Sequence, residues 1–284
     1  MEAIRRIDIN EWSLSGGGAR GDSYFHKTDP TLMVKFDNSG VPVQDMLQEV
    51  ENARTVASLG LPTPEPGDVV TDGERYGITF RRIVGKRSYA RLVGTFPQHI
   101  PAFAAAFAQL AKQIHSTRGT GCGLRHIKDI YSKLVAANPH RSKELIDKTL
   151  RLLDSLEDAD TCVHGDFHYG NVIVADGGNY LIDLGNFAYG HPYFDLAMMF
   201  AVYRLGLLKP QFAQHMYHCT TDDATTFWQC FLKEYFGPEV SQEQAEDKIM
   251  PYYAVRMMTM EAETGDRIPD IAIEKAMQYL SGRF

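Results

Sequence analysis

The chain has 284 residues, 44% of them hydrophobic and 23% charged, which is the composition of a folded globular protein with one large domain or two unequal lobes. Its formal net charge of −7 excludes a protein that binds nucleic acid by neutralising phosphates. The four cysteines have no metal-ligand spacing and are too sparse for a disulfide framework, no run is long enough to span a bilayer, and no apolar leader follows Met1–Arg6. The expectation is a cytoplasmic protein with neither a membrane nor a nucleic-acid partner.

The first eighty or so residues alternate short strand-like runs with one helix. Trp12-Ser13-Leu14 and Thr31–Phe36 read as strands around a glycine-rich turn, and Tyr76–Phe80 as a later strand. Between them, Val43, Met46, Leu47, Val50, Ala53 and Ala57 recur as one face of a helix, which Gly60-Leu61-Pro62 ends. Further helices are expected over about Pro101–Ser116 and Ser142–Leu156. Two strand-like runs, Asn171–Val174 and Tyr180–Ile182, then flank the turn Ala175–Asn179. From Phe194 onward the pattern is helical, with Pro210, Pro238, Pro251 and Pro269 as expected breaks or starts. The reading is α+β: a small N-terminal sheet lobe over residues 1–83, and a larger, mostly helical lobe over 84–284.

The run Cys162-Val163-His164-Gly165-Asp166-Phe167-His168-Tyr169-Gly170-Asn171, followed by Ile182-Asp183-Leu184-Gly185, carries the chemistry. Phosphoryl transfer needs a carboxylate to orient the attacking hydroxyl and accept its proton, and oxygen ligands to hold Mg²⁺ against the triphosphate. Asp166, Asn171 and Asp183 supply that set. His164, Asp166 and Asn171 fall on H-x-D-x-x-x-x-N without a gap, and the D-x-G at Asp183 follows a short hairpin. A metal-hydrolase alternative, with His164, Asp166 and His168 on one strand face, leaves Asp183 and the N-terminal features unexplained. His168 then packs near the site or contacts substrate.

In the H-G-D opening and the I-D-L-G form the sequence resembles the aminoglycoside phosphotransferase and choline kinase superfamily. The resemblance implies a protein-kinase-like, two-lobed fold. It makes Asp166 the catalytic base, Asn171 and Asp183 the Mg²⁺ ligands, and His164 a buttress of the loop. Tyr193-Phe194-Asp195-Leu196-Ala197 matches the family's Y-D-L-A with one residue inserted, which implies that Asp195 hydrogen-bonds the catalytic-loop backbone.

The N-terminal part then holds the nucleotide. Gly16, Gly18 and Gly21 match G-x-G-x-x-G, with Gly17 between them, a pattern that also opens dinucleotide-binding folds. There a helix follows the glycines directly. Here a strand ending near Lys35 follows, which is the kinase order of glycine loop, strand and lysine. Lys35 is expected to neutralise nucleotide phosphates. Its carboxylate partner is Glu49, which sits on the margin of the apolar stripe, whereas Glu51 points away. By the resemblance, the base of the nucleotide lies against the backbone of the linker Arg81–Gly85, including Arg81 and Ile83. Backbone recognition leaves ATP and GTP equivalent.

Only eleven residues separate Asp183 from Asp195 and no A-P-E follows, so the acceptor is a small molecule rather than a protein. Pro210 to Phe284 holds twelve acidic and six basic residues, net −6, which is the pattern of solvated helix faces and would also attract a cationic acceptor such as an aminoglycoside or amino-sugar. A choline- or ethanolamine-type acceptor, using Tyr252 and Tyr253 as an aromatic cage, is the alternative. So is another hydroxylated metabolite, or a nucleotide-binding module without turnover. Glu234, Tyr252, Tyr253, Arg256, Glu261, Glu263 and Asp266 are unranked candidate acceptor contacts.

Overall fold

The computed structural model describes residues 4–18, 21–38, 40–175, 178–211, 214, 218–265 and 267–283. It divides into two compact units, Met1–Arg87 with Ile173–Gly185, and Ser88–Val172 with Asn186–Phe284. The first unit thus runs past Ile83 and takes in a segment far along the chain.

The first unit is built on a six-stranded sheet of β1 (Arg5–Arg6), β2 (Trp12–Gly18), β3 (Gly21–His26), β4 (Leu32–Asp37), β5 (Pro66–Thr71) and β6 (Tyr76–Arg81), in the order β1-β5-β6-β4-β3-β2. β1 pairs with β5 in parallel, and the other neighbours are antiparallel. The period of two along β4 turns Val34 and Phe36 to one face, where they pack with Ile7, Trp12 and Val70. Lys35 therefore faces the other way. On that side α1 (Val43–Ser58) lays Met46 and Val50 over Val69 and Ile78. A two-residue strand, β7 (Arg87–Ser88), follows the linker after β6.

The Gly16–Gly18 run is not a free turn but the end of β2, paired with β3 through Gly16↔Ser23 and Gly18↔Gly21. The turn itself, Ala19 and Arg20, lies outside the described residues. Pairing extends the hairpin further than residue propensities suggest, because glycine's low strand propensity is overridden by ladder hydrogen bonds.

The second unit is mostly helical: α2 (Tyr89–Thr95), α3 (Ile100–Ser116), α4 (Ile127–Ala136), α5 (Lys143–Ser155), α6 (Tyr193–Leu208), α7 (Thr221–Phe236), α8 (Gln242–Thr264) and α9 (Asp270–Arg283) among the described residues. An aromatic core joins Phe107 of α3 to Phe167, Phe227 and Phe231. Pro251, expected as a break, lies inside α8. A proline there forfeits one intrahelical hydrogen bond, and the burial of Ile249, Tyr252, Tyr253, Val255, Met257 and Met258 on this helix outweighs that loss. Two short strands, β8 (Cys162–Val163) and β11 (Ala188–Tyr189), pair antiparallel and bracket the H-G-D loop.

Between those two strands, β9 (Val172–Ala175) and β10 (Gly178–Leu181) are neighbours in a small sheet. The segment is fastened to the rest of the first unit by the Leu181 N–H, which donates to Pro62 O at 2.8 Å, and by the Thr63 hydroxyl, which donates to Leu181 O at 3.1 Å. The Asn52 amide of α1 donates to Leu184 O at 2.7 Å and to Gly185 O at 3.2 Å. A buried polar side chain needs such partners, and here they hold the D-x-G segment against α1.

Candidate active site

In the first unit, the Lys35 ammonium donates to the Asp183 carboxylate and lies 3.9 Å from the Glu49 carboxylate. Glu49 is buried while Glu51 is exposed, as the helical phase of α1 requires. Burial pulls the ammonium's pKa down, but Asp183 and Glu49 outweigh it and the net shift is upward, so Lys35 is charged at neutral pH. Asp183 itself has φ 60°, in the left-handed region that a non-glycine residue seldom occupies. The surrounding anchors at Leu181, Leu184 and Gly185 hold it there, and such strain marks functional positions.

At Gly21 a Cβ would meet Phe36 O at 1.9 Å, so only glycine lets β3 run this near β4. Arg81 ends β6, with an exposed side chain 3.6 Å from Glu65 and its N–H donated to Glu65 O. Ile83 is half-buried. Between them Arg82 lays its guanidinium 3.7 Å from the centre of the Phe25 ring.

In the second unit the H-G-D loop hangs from Asp195. The buried Asp195 carboxylate accepts the His164 N–H at 2.7 Å and the Gly165 N–H at 2.8 Å, which is the backbone role expected of it. His115 of α3 approaches Asp195 through Nε2 at 3.1 Å, and its Nδ1 lies 2.7 Å from the Tyr235 hydroxyl. Gly165 has φ 78°, and a Cβ there would meet Asn186 O at 2.3 Å. That is why glycine separates His164 from Asp166.

Asp166 leaves this turn partly exposed. Its Oδ2 accepts from Asn171 Nδ2 at 2.9 Å, and the same amide donates to Asp166 O at 2.9 Å. The amide nitrogen being so engaged, Asn171 Oδ1 is the atom able to face a cation. That amide oxygen is a hard donor of the kind that suits Mg²⁺. His168 closes the loop, taking the Gly170 N–H on Nδ1 at 3.0 Å, with Nε2 3.8 Å from Asp166.

Asp166 Oδ1 accepts from Arg256 Nη2 at 3.1 Å. Arg256 is buried in α8; its other donors reach Glu263 at 2.8 Å, Thr259 at 3.0 Å and Met198 Sδ at 3.1 Å. Burial opposes its charge, but the Glu263 and Asp166 carboxylates more than restore it. Sequence reasoning leaves Arg256 in an unranked set. The signal that singles it out is an arginine inside the apolar run Tyr252–Met258, because a charge so placed needs buried partners.

The other members of that set divide. Tyr252 and Tyr253 are core residues, Tyr252 stacked on His191 with centroids 5.1 Å apart. Glu261 is fully buried and bound by Arg141, Asn138 and the Ile268 N–H. Glu263 serves Arg256 and Asn186. Glu234 is exposed, and Asp266 lies outside the described residues.

The family described as the phosphotransferase enzyme family matches residues 11–215. No curated protein matches the chain. Among solved structures, an aminoglycoside-3'-phosphotransferase of type VIII is 19% identical, with a TM-score of 0.59 over 89% of this chain and 93% of its own. The aminoglycoside phosphotransferase APH(2'')-Ib, ADP-bound, is 22% identical, with a TM-score of 0.56 over 96% and 93%. A choline/ethanolamine kinase family protein from Mesorhizobium loti is 15% identical, with a TM-score of 0.54 over 95% and 87%. These likenesses show the α+β, protein-kinase-like fold. No helix among the described residues is long and apolar enough to cross a membrane.

Proposed function

The chain belongs to the phosphotransferase enzyme family, and on that premise we propose that it transfers the γ-phosphoryl group of ATP or GTP to a hydroxyl of a small, cationic acceptor of aminoglycoside or amino-sugar type. The observation that carries the reading is the Lys35 ammonium held by Glu49 and Asp183, the pairing that readies a lysine for nucleotide phosphates. The ADP-bound relative supports the nucleotide. The acidic C-terminal part supports the acceptor's charge.

In this reading Asp166 orients the acceptor hydroxyl and takes its proton as the oxygen attacks the γ-phosphorus and the bond to the β-phosphate oxygen breaks. Lys35 binds phosphate oxygens, Gly16, Gly17, Gly18 and Gly21 let backbone approach them, and the linker at Arg81 and Ile83 receives the base. Asn171 and Asp183 would supply oxygen ligands to Mg²⁺, which would neutralise charge on the triphosphate. Tyr252 and Tyr253 are buried, so they offer no cage for a choline-like cation.

The test is Mg²⁺-dependent consumption of ATP and of GTP over a panel of aminoglycosides, choline, ethanolamine and simple sugars, with Asp166→Ala as control. Acceptor-stimulated turnover that disappears in Asp166→Ala supports the reading and names the acceptor class. Turnover that persists in that variant refutes it, and stimulation by choline alone moves the acceptor to the choline type.

A further inference from the structure

We infer that Arg256 is a positioning residue for Asp166, a fixed guanidinium that sets the direction of the carboxylate on which phosphoryl transfer depends; the inference rests on the function proposed above.

Three observations carry it. Arg256 is 2% exposed and comes from α8, 90 positions beyond Asp166, so the contact is made by tertiary packing. Its guanidinium is held on several sides, by Glu263 at 2.8 Å, Thr259 Oγ1 at 3.0 Å and Met198 Sδ at 3.1 Å, and lies 5.8 Å from the centre of the Tyr131 ring. Glu263 is in turn held by Asn186 Nδ2 at 3.2 Å, and Asn186 follows the D-x-G run directly.

The donor aimed at Asp166 is therefore rigid, whereas the Asp166 side chain is 20% exposed and has two torsions to fix. Asn171 fixes one oxygen and Arg256 the other, so both torsions are determined before an acceptor arrives. Glu263 balances the guanidinium, which lets Arg256 direct Asp166 without cancelling the charge at the site. A buried arginine between two carboxylates is a weak stabilising device, since apolar packing of equal volume serves as well. Fixing the direction of a reacting group is a task that apolar packing does not perform.

The test compares Arg256→Gln, Arg256→Lys and Glu263→Gln with the parent enzyme. The readouts are kcat for Mg²⁺-ATP consumption with water and with the acceptor panel, the dissociation constant of Mg²⁺-ADP, and the melting temperature. Arg256→Gln is expected to lower kcat on the order of 100-fold, as a displaced catalytic group does, with Mg²⁺-ADP affinity unchanged. Arg256→Lys recovers part of that loss, because a point charge reaches one oxygen without the planar fork. In an Asp166→Asn background Arg256→Gln adds no further loss, whereas a merely structural role costs the same factor in both backgrounds. Should Arg256→Gln fail to fold, Arg256→Lys and Glu263→Gln decide the matter: a fall in kcat at unchanged melting temperature sustains the inference. Parental kcat in folded Arg256 variants, or equal losses in both backgrounds, overturns it. Full turnover in Asp166→Asn alone sinks the phosphotransferase reading of the site instead, so the two failures are separable.

Discussion

Lys35 and Asp183 lie 148 positions apart in the chain, and the ammonium of one donates to the carboxylate of the other. Strand β4 presents the lysine, and the strained backbone at Asp183, φ 60°, presents the acid. Each helps to neutralise the other, with Glu49 as a second carboxylate beside the ammonium. Lys35→Ala is expected to raise the KM for Mg²⁺-ATP by on the order of tenfold, the value of one charge-assisted contact. Asp183→Ala should abolish the Mg²⁺ dependence of nucleotide binding. Calorimetric titration of ATP with and without Mg²⁺ checks both, and parental binding by either variant removes that residue from the nucleotide site.

The upward shift at Lys35 also has a sign that can be tested. A raised ammonium pKa contributes stability that is fully present below the ordinary value of 10.5 and is lost only as pH rises through the higher folded value. The melting temperature of the nucleotide-free protein between about pH 7 and 10 should therefore show no alkaline fall that Lys35→Arg removes. Such a fall, abolished by Lys35→Arg, contradicts the upward shift.

Gly165→Ala should disable the H-G-D loop, since φ 78° and the Asn186 carbonyl 2.3 Å from a Cβ leave no room for a side chain. A cost of about 2 kcal/mol or more in stability is expected from overpacking and backbone strain together, with turnover lost. Denaturant unfolding and the ATP assay check it. A Gly165→Ala enzyme with normal kcat and an unchanged unfolding midpoint refutes this account of the loop.

Glu261→Ala should be a pure stability variant. Glu261 is fully buried and ties Arg141, Asn138 and the Ile268 N–H together, so its loss takes the buried carboxylate from Arg141, which keeps Asp270 at 2.8 Å and Ile268 O at 3.0 Å. With those acceptors left, the cost is expected below the about 3–5 kcal/mol of a buried charge left with no partner. Thermal melting should show the loss, and kcat at a temperature where the protein is folded should be that of the parent.

His191 should govern part of the acid sensitivity. Burial holds its imidazole below the ordinary value of 6.5, and the Glu157 carboxylate 3.7 Å away offsets only part of this. In the window between the lower folded pKa and 6.5 the unfolded chain binds more protons, so stability falls as pH drops through that window. His191→Gln should flatten the melting temperature between about pH 7 and 5.5. An identical slope in the variant assigns the acid sensitivity to another group.

Much of the candidate site is legible in the sequence because it is local. His164, Gly165, Asp166 and Asn171 sit within one short loop, and the phase of α1 alone separates Glu49 from Glu51. The alternation along β4 likewise turns Lys35 away from Val34 and Phe36. The glycine run reads as a turn and is a strand end, because ladder pairing with β3 decides whether Gly16–Gly18 extend or bend.

Short-range patterns thus specify the order of the motifs, the α+β class and the groups that local geometry constrains. The distant side chains that complete those groups come from tertiary packing: Asp183 on Lys35, His115 on Asp195, Arg256 on Asp166, and the withdrawal of Tyr252, Tyr253 and Glu261 into the core. Helical or strand periodicity assigns a residue to a face, but the partner on the opposing face is chosen by packing between elements far apart in the chain, and no local pattern encodes it.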